Sequence, residues 1–163
     1  MDTSSAFLRR GGLQSLIALT MLAALAGGGC VTQRAVVEQP DGFALYGEEE
    51  TYRAVSPEGV VLRLRLVANE PVQTLGFWSE ALKVHLQRSG YALLAEELFV
   101  APAGDGVLLE WIAPLAGEDW LYMTAICIAD DQIAIAEAAG PYDTYGNHRH
   151  SLVQSLATLT IQR

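Results

Sequence analysis

Basic side chains are scarce in this sequence. The 163 residues include 10 Lys and Arg against 19 Asp and Glu, so the formal net charge is −9. Proteins that bind nucleic acids normally carry a basic face or stripe, and no cluster of Lys or Arg occurs after Arg10. The composition therefore argues against nucleic acid and anionic lipid headgroups as partners.

The sequence also lacks the motifs of common enzymes and cofactor sites. It contains no G-x-x-x-x-G-K or G-x-G-x-x-G phosphate loop, no G-x-S-x-G, no H-E-x-x-H and no D-x-D-x-D-G calcium loop. We therefore predict no cofactor and no catalytic residues. We expect a protein that acts by binding rather than by chemistry.

The first 29 residues have the pattern of an export signal. Arg9 and Arg10 precede an uncharged, mainly apolar run over 13–26. That run is shorter than the roughly 20 apolar residues that a helix needs to cross a membrane. We therefore predict that 1–29 is a signal peptide that is removed.

Cys30 follows three glycines at the end of this segment. The arrangement resembles the lipobox of bacterial lipoproteins. The resemblance implies cleavage before Cys30 and acylation of that cysteine, by palmitate or a similar chain, as a membrane anchor. Gly27 stands where a lipobox usually has an aliphatic residue. The run 24–26 is a second, A-x-A cleavage signal that would release a soluble secreted protein.

The expected location is the bacterial cell envelope, with the protein facing the periplasm. Val31 after Cys30 resembles outer-membrane sorting in enteric bacteria, which favours the outer membrane over the inner one. The predicted partners are the membrane, through the lipid anchor, and an unidentified envelope protein or small ligand.

We predict a lipidated cysteine with a tether over 30–42, followed by one α+β domain over 43–163. In 59–68, leucines alternate with Arg63 and Arg65, which is typical of a half-buried antiparallel strand. Asn69 is a plausible helix cap, with Pro71 in the first turn and Gly90 as the stop signal. Gly and Asp turns between 91 and 139 predict a four-stranded meander.

The apolar spacing from Tyr145 to Leu159 predicts a second amphipathic helix that closes the chain. The expected order is β-β-β-α-β-β-β-β-α, with an antiparallel sheet of about six to seven strands packed by two helices. This order resembles the fold shared by PsbP, a photosystem subunit, and the DcrB-like periplasmic lipoproteins. The resemblance implies an exported, non-enzymatic accessory domain and assigns no functional residue.

His148, Arg149 and His150 form the densest titratable cluster. Histidines are metal ligands, but residues two apart on a helix point about 200° apart. We therefore interpret the cluster as a helix start with His148 in the core. The alternative function is a secreted enzyme or metal-binding protein that uses His148 and His150.

Aromatic residues near the same segment are candidates for partner contact. Tyr142 and Tyr145 lie between Gly-containing turns, and loop aromatics often contribute to interfaces. His85 falls on the apolar stripe of the first helix, where we expect a core histidine. Cys127 lies in an apolar run and is predicted to be a buried, inert thiol.

Overall fold

The computed structural model describes residues 33–47, 51–115, 118–129 and 131–162. These residues lie in one compact unit, Val31–Arg163. The predicted signal peptide over 1–29 and the predicted lipidation site Cys30 lie outside the described residues.

Within those ranges the chain forms short strands near the amino terminus, long hairpin strands in the middle and two helices. The elements are β1 (Arg34–Val36), β2 (Ala44–Leu45), β3 (Arg53–Val55), β4 (Val61–Ala68), α1 (Leu75–Arg88), β5 (Ala92–Ala101), β6 (Gly104–Leu115), β7 (Glu118–Ala129), β8 (Gln132–Pro141), α2 (Tyr142–Leu156) and β9 (Thr160–Gln162).

The main sheet is antiparallel and has seven strands in the order β2-β3-β4-β8-β7-β6-β5. The strands β5, β6, β7 and β8 pair antiparallel in sequence order, which confirms the predicted meander. The strand β8 then lies beside β4, with Val61 opposite Ala139 and Ala68 opposite Gln132. This pairing joins the amino-terminal strands to the meander.

The two helices cover opposite faces of this sheet. On β8, Ala134, Ala136 and Ala138 belong to the core under α2, whereas Ile133 and Ile135 belong to the core under α1. Successive side chains of a strand point to opposite faces, so β8 contributes apolar residues to both cores. The predicted α+β sandwich is therefore confirmed.

The amino-terminal segment is part of the domain, contrary to the predicted tether over 30–42. The strand β1 pairs with β9 in a separate two-stranded sheet. Ala35 and Val37 are buried in the core under α2. The Ser155 hydroxyl also donates to the Glu38 carbonyl at 2.5 Å. The tether was predicted from polar composition, which does not reveal a strand whose partner lies at the far end of the chain.

The start of α1 also differs from the prediction. The cap is Thr74, whose Oγ1 accepts a hydrogen bond from the Phe77 amide at 3.2 Å. Asn69 is buried and Pro71 precedes the helix. The Asn69 side chain instead closes the preceding turn by bonding both backbone groups of Gln73 at 3.1 Å.

Both helices end in turns. After α1, Gly90 adopts a φ of +88°, a left-handed conformation that favours glycine, which confirms the predicted stop. The helix α2 ends at Leu156 rather than at Leu159. Leu159 is still buried, because the chain turns there to bring β9 back to β1.

Candidate functional site

A cavity of about 270 Å³ lies between α1 and the sheet, and we call it the helix–sheet cavity. It forms because α1 packs against β5, β6 and β7, so that the cavity opens toward β8 and β4. The helix contributes Trp78, Ala81, Leu82 and His85, and the sheet contributes Arg65, Tyr122, Thr124, Ile126, Ile133, Ile135 and Glu137.

Most of the cavity wall is apolar. Ile126 lies on β7, and Ile133 and Ile135 lie on β8. On the helix side, Trp78 and Leu82 face these isoleucines. The Trp78 ring is held in place because its Nε1 donates to Asn69 Oδ1 at 2.7 Å. Ligand pockets typically combine such an apolar lining with a few polar groups that orient the ligand. The wall is therefore suited to an apolar chain or ring.

A group of charged side chains lies at the β4 edge of the cavity. Glu137 on β8 receives Arg65 Nε at 3.3 Å and Arg65 Nη2 at 3.5 Å, and Arg63 Nη2 lies 3.4 Å from the same carboxylate. These contacts are longer than the 2.7–2.9 Å usual for charge-assisted hydrogen bonds. Two guanidinium groups share one carboxylate, which leaves the group with one net positive charge.

Tyr122 completes this polar edge. Its hydroxyl donates to Glu137 Oε1 at 3.0 Å, and its ring packs against Tyr91 with centroids 5.7 Å apart. Burial, together with the charge of Glu137, raises the pKa of Tyr122 well above its usual value. The hydroxyl therefore stays protonated and acts as a hydrogen-bond donor.

The sequence had indicated Arg63 and Arg65 through their alternation with leucine, but not their partner. Glu137 is 72 residues from Arg65, and only the β4–β8 pairing brings the two together. His85 was expected in the core but is exposed at the cavity. The predicted buried face of α1 included His85, but the structure buries the next residue, Leu86, instead.

The His148–His150 cluster does not converge on one point. His148 Nε2 lies 2.8 Å from Glu58 Oε2, and its ring packs edge-on against Phe43 with centroids 5.2 Å apart. His150 is exposed. Among the residues that the structure describes, no group of three or more His, Cys, Asp or Glu side chains is arranged to hold a metal ion.

Arg149, between these histidines, has the strongest contacts of the three residues. Its Nε donates to the two oxygens of Glu110 at 2.9 and 3.0 Å, and its Nη2 lies 2.6 Å from Glu97. The bond to Glu110 raises the pKa of Arg149 further above its usual value. Arg149 therefore connects α2 to β5 through Glu97 and to β6 through Glu110.

Of the two tyrosines predicted to contact a partner, one is accessible. Tyr142 is 54% exposed, whereas Tyr145 is only 1% exposed and lies in the core under α2. The expectation for Tyr145 is therefore corrected. The segment is the first turn of α2 rather than a loop, and Tyr145 packs in the core while Tyr142, at the first residue of the helix, stays accessible.

Cys127 is fully buried on β7, as predicted. Burial raises the pKa of its thiol to about 11. Thiolates are the reactive form of cysteine, so this residue contributes packing and no nucleophile.

No helix in the described part of the chain combines the length and hydropathy needed to span a membrane. No family model matches the sequence, and no curated protein matches it. Comparison of the folds, in contrast, identifies similar structures.

The sheet with one helix on each face defines a PsbP-like fold. The cyanobacterial PsbP (CyanoP) of Synechocystis sp. PCC 6803 has a TM-score of 0.51 and 8% identity, over 86% of this chain and 99% of that one. This likeness confirms the fold that the order of elements had suggested.

Two further structures share the fold. PA94 of Pseudomonas aeruginosa, described as a protein of unknown function, has a TM-score of 0.58 and 13% identity, over 74% of this chain and 97% of that one. LpqN of Mycobacterium tuberculosis, involved in cell envelope biogenesis, has a TM-score of 0.56 and 13% identity, over 84% and 88%. At these identities the likeness concerns the fold.

Proposed function

We propose that this protein is a lipid-anchored binding module of the bacterial cell envelope, held at the membrane through Cys30 and facing the periplasm. It acts without catalysis, by taking a small ligand with an apolar part into the helix–sheet cavity. The observation that carries this proposal is the cavity itself, with isoleucines on one wall and Trp78 on the other.

Three further features support the proposal. The export signal and the lipobox-like Cys30 favour the envelope, where the similar LpqN takes part in envelope biogenesis. The polar groups at the cavity edge pair with one another, an arrangement suited to orienting a ligand. The buried Cys127 lies on the face under α2, so it provides no nucleophile to the cavity.

Binding of n-octanol, a neutral molecule with one short chain, tests the cavity. We expect octanol to shift the NMR signals of the Trp78 indole and of the Ile133 and Ile135 methyl groups, because these line the cavity. In Ala81→Phe, a ring added to the cavity wall should abolish the shifts.

Val84→Phe is the matched control, because it adds the same ring to α1 at an exposed site that does not line the cavity. Shifts retained in Val84→Phe and lost in Ala81→Phe support a ligand site. An absence of shifts in the wild type, or equal shifts in Ala81→Phe, would contradict it.

A further inference from the structure

The charge at the edge of the helix–sheet cavity is opposite to that of the whole protein. The chain has a net charge of −9, yet Arg63 and Arg65 lie together on β4 with Glu137 as their shared counterion. Their side chains remain 48% and 38% exposed. An anion that approaches this edge therefore meets a local positive charge without having to displace a buried ion pair.

The guanidinium of Arg65 has donors to spare. A guanidinium carries five N–H donors in a planar fork that matches a carboxylate, and the bonds to Glu137 use the Nε and Nη2 positions. Those bonds are long, at 3.3 and 3.5 Å. A second carboxylate can therefore bind between Arg63 and Arg65 while Glu137 keeps both side chains oriented toward the cavity.

The volume of the cavity limits the size of the apolar part. A buried cavity of about 150 Å³ accommodates benzene, so a cavity of about 270 Å³ corresponds to roughly ten non-hydrogen atoms. A single straight chain of this size fits against Ile133 and Ile135.

On these grounds we propose that the helix–sheet cavity binds a medium-chain alkyl carboxylate, such as a free fatty acid of about eight carbons. The alkyl chain lies between Trp78 and the isoleucines of β8, and the carboxylate pairs with Arg65 and Arg63. This assignment rests on the proposed function and specifies the ligand class of the same cavity.

Comparison of octanoate with octanol by titration calorimetry tests the assignment, because the two share one chain and differ in the charged end. We expect octanoate to bind about tenfold more tightly than octanol, because its carboxylate makes a charge-assisted contact with the arginines. That advantage should disappear in Arg65→Gln. It should also shrink in 0.5 M NaCl, because salt screens partly exposed charges.

Arg88→Gln is the matched control, since it removes the same charge from an exposed site at the end of α1 that does not line this cavity. It should retain the full preference for octanoate. Arg63→Gln provides a second test of the same edge if Arg65→Gln unfolds in a thermal scan, because Arg63 is the more exposed of the two.

The outcomes separate this inference from the proposed function. Octanol binding with no preference for octanoate, or a preference that survives in both arginine variants, would overturn the carboxylate assignment and leave the cavity as a ligand site. Binding of neither molecule would overturn both.

Discussion

At the scale of single residues, Arg149 shows how a cluster in the sequence differs from a site in the structure. The flanking histidines attract attention as metal ligands, yet the arginine makes the decisive contacts. Glu110 is only 8% exposed, and a buried carboxylate requires a partner because desolvation disfavours its charge. Arg149 supplies that partner from α2.

We expect Arg149→Met to lower the free energy of unfolding by about 2 kcal/mol, because it leaves Glu110 buried without its counterion. Urea denaturation followed by circular dichroism measures the change. Adding Glu110→Gln to Arg149→Met should restore most of the loss, since the unpaired charge is then removed.

The exposed Arg88 on α1 supplies the control, and Arg88→Met should change the stability by no more than about 0.5 kcal/mol. Equal stability of Arg149→Met and wild type would contradict a structural role for the ion pair. So would a double variant that is no more stable than the single one.

At the scale of elements, the strands that meet from distant parts of the sequence determine the architecture. The main sheet is continuous because β8 pairs with β4, and the second sheet forms because β1 pairs with β9. Amphipathic periodicity predicts which segments are strands or helices, but it does not specify which strands become neighbours. The polar edge of the cavity depends on the first of these pairings.

We expect Ala35→Asp to lower the free energy of unfolding by about 3 kcal/mol or more, because it introduces a carboxylate into the core under α2. Thermal and urea denaturation measure the effect.

Gln162→Asp is the control, because it introduces the same side chain at an exposed site of the same two-stranded sheet. We expect a small change there. If the two variants are equally stable, the segment around Ala35 behaves as the tether that its composition suggests, and its place in the core is contradicted.

At the scale of the whole molecule, the acidic charge of the domain affects how the protein could attach to a membrane. Residues 31–163 contain 8 Lys and Arg and 18 Asp and Glu, so their formal net charge is −10. Such a domain is repelled by anionic headgroups. Under the proposed function, attachment to the membrane would depend on acyl chains at Cys30, for which each buried methylene contributes about 0.8 kcal/mol.

We expect wild-type protein to incorporate a fatty-acid analogue during metabolic labelling and to fractionate with membranes. Cys30→Ala should lose the label and move to the soluble fraction. Cys127→Ala, which replaces the other cysteine of the chain, should keep it because Cys127 is buried. Equal label in wild type and Cys30→Ala, or none in either, would contradict the anchor.

The sequence by itself determined the α+β class, the meander, the approximate helices and the exposed arginines of β4, because these follow from local periodicity, turn residues and charge. It did not reveal that Arg65, Tyr122 and Glu137 meet, that Trp78 faces the isoleucines of β7 and β8 across the cavity, or that β1 pairs with β9. Those contacts were decided by the tertiary structure, because pairing between distant strands is selected by burial of the whole sheet and not by any local signal.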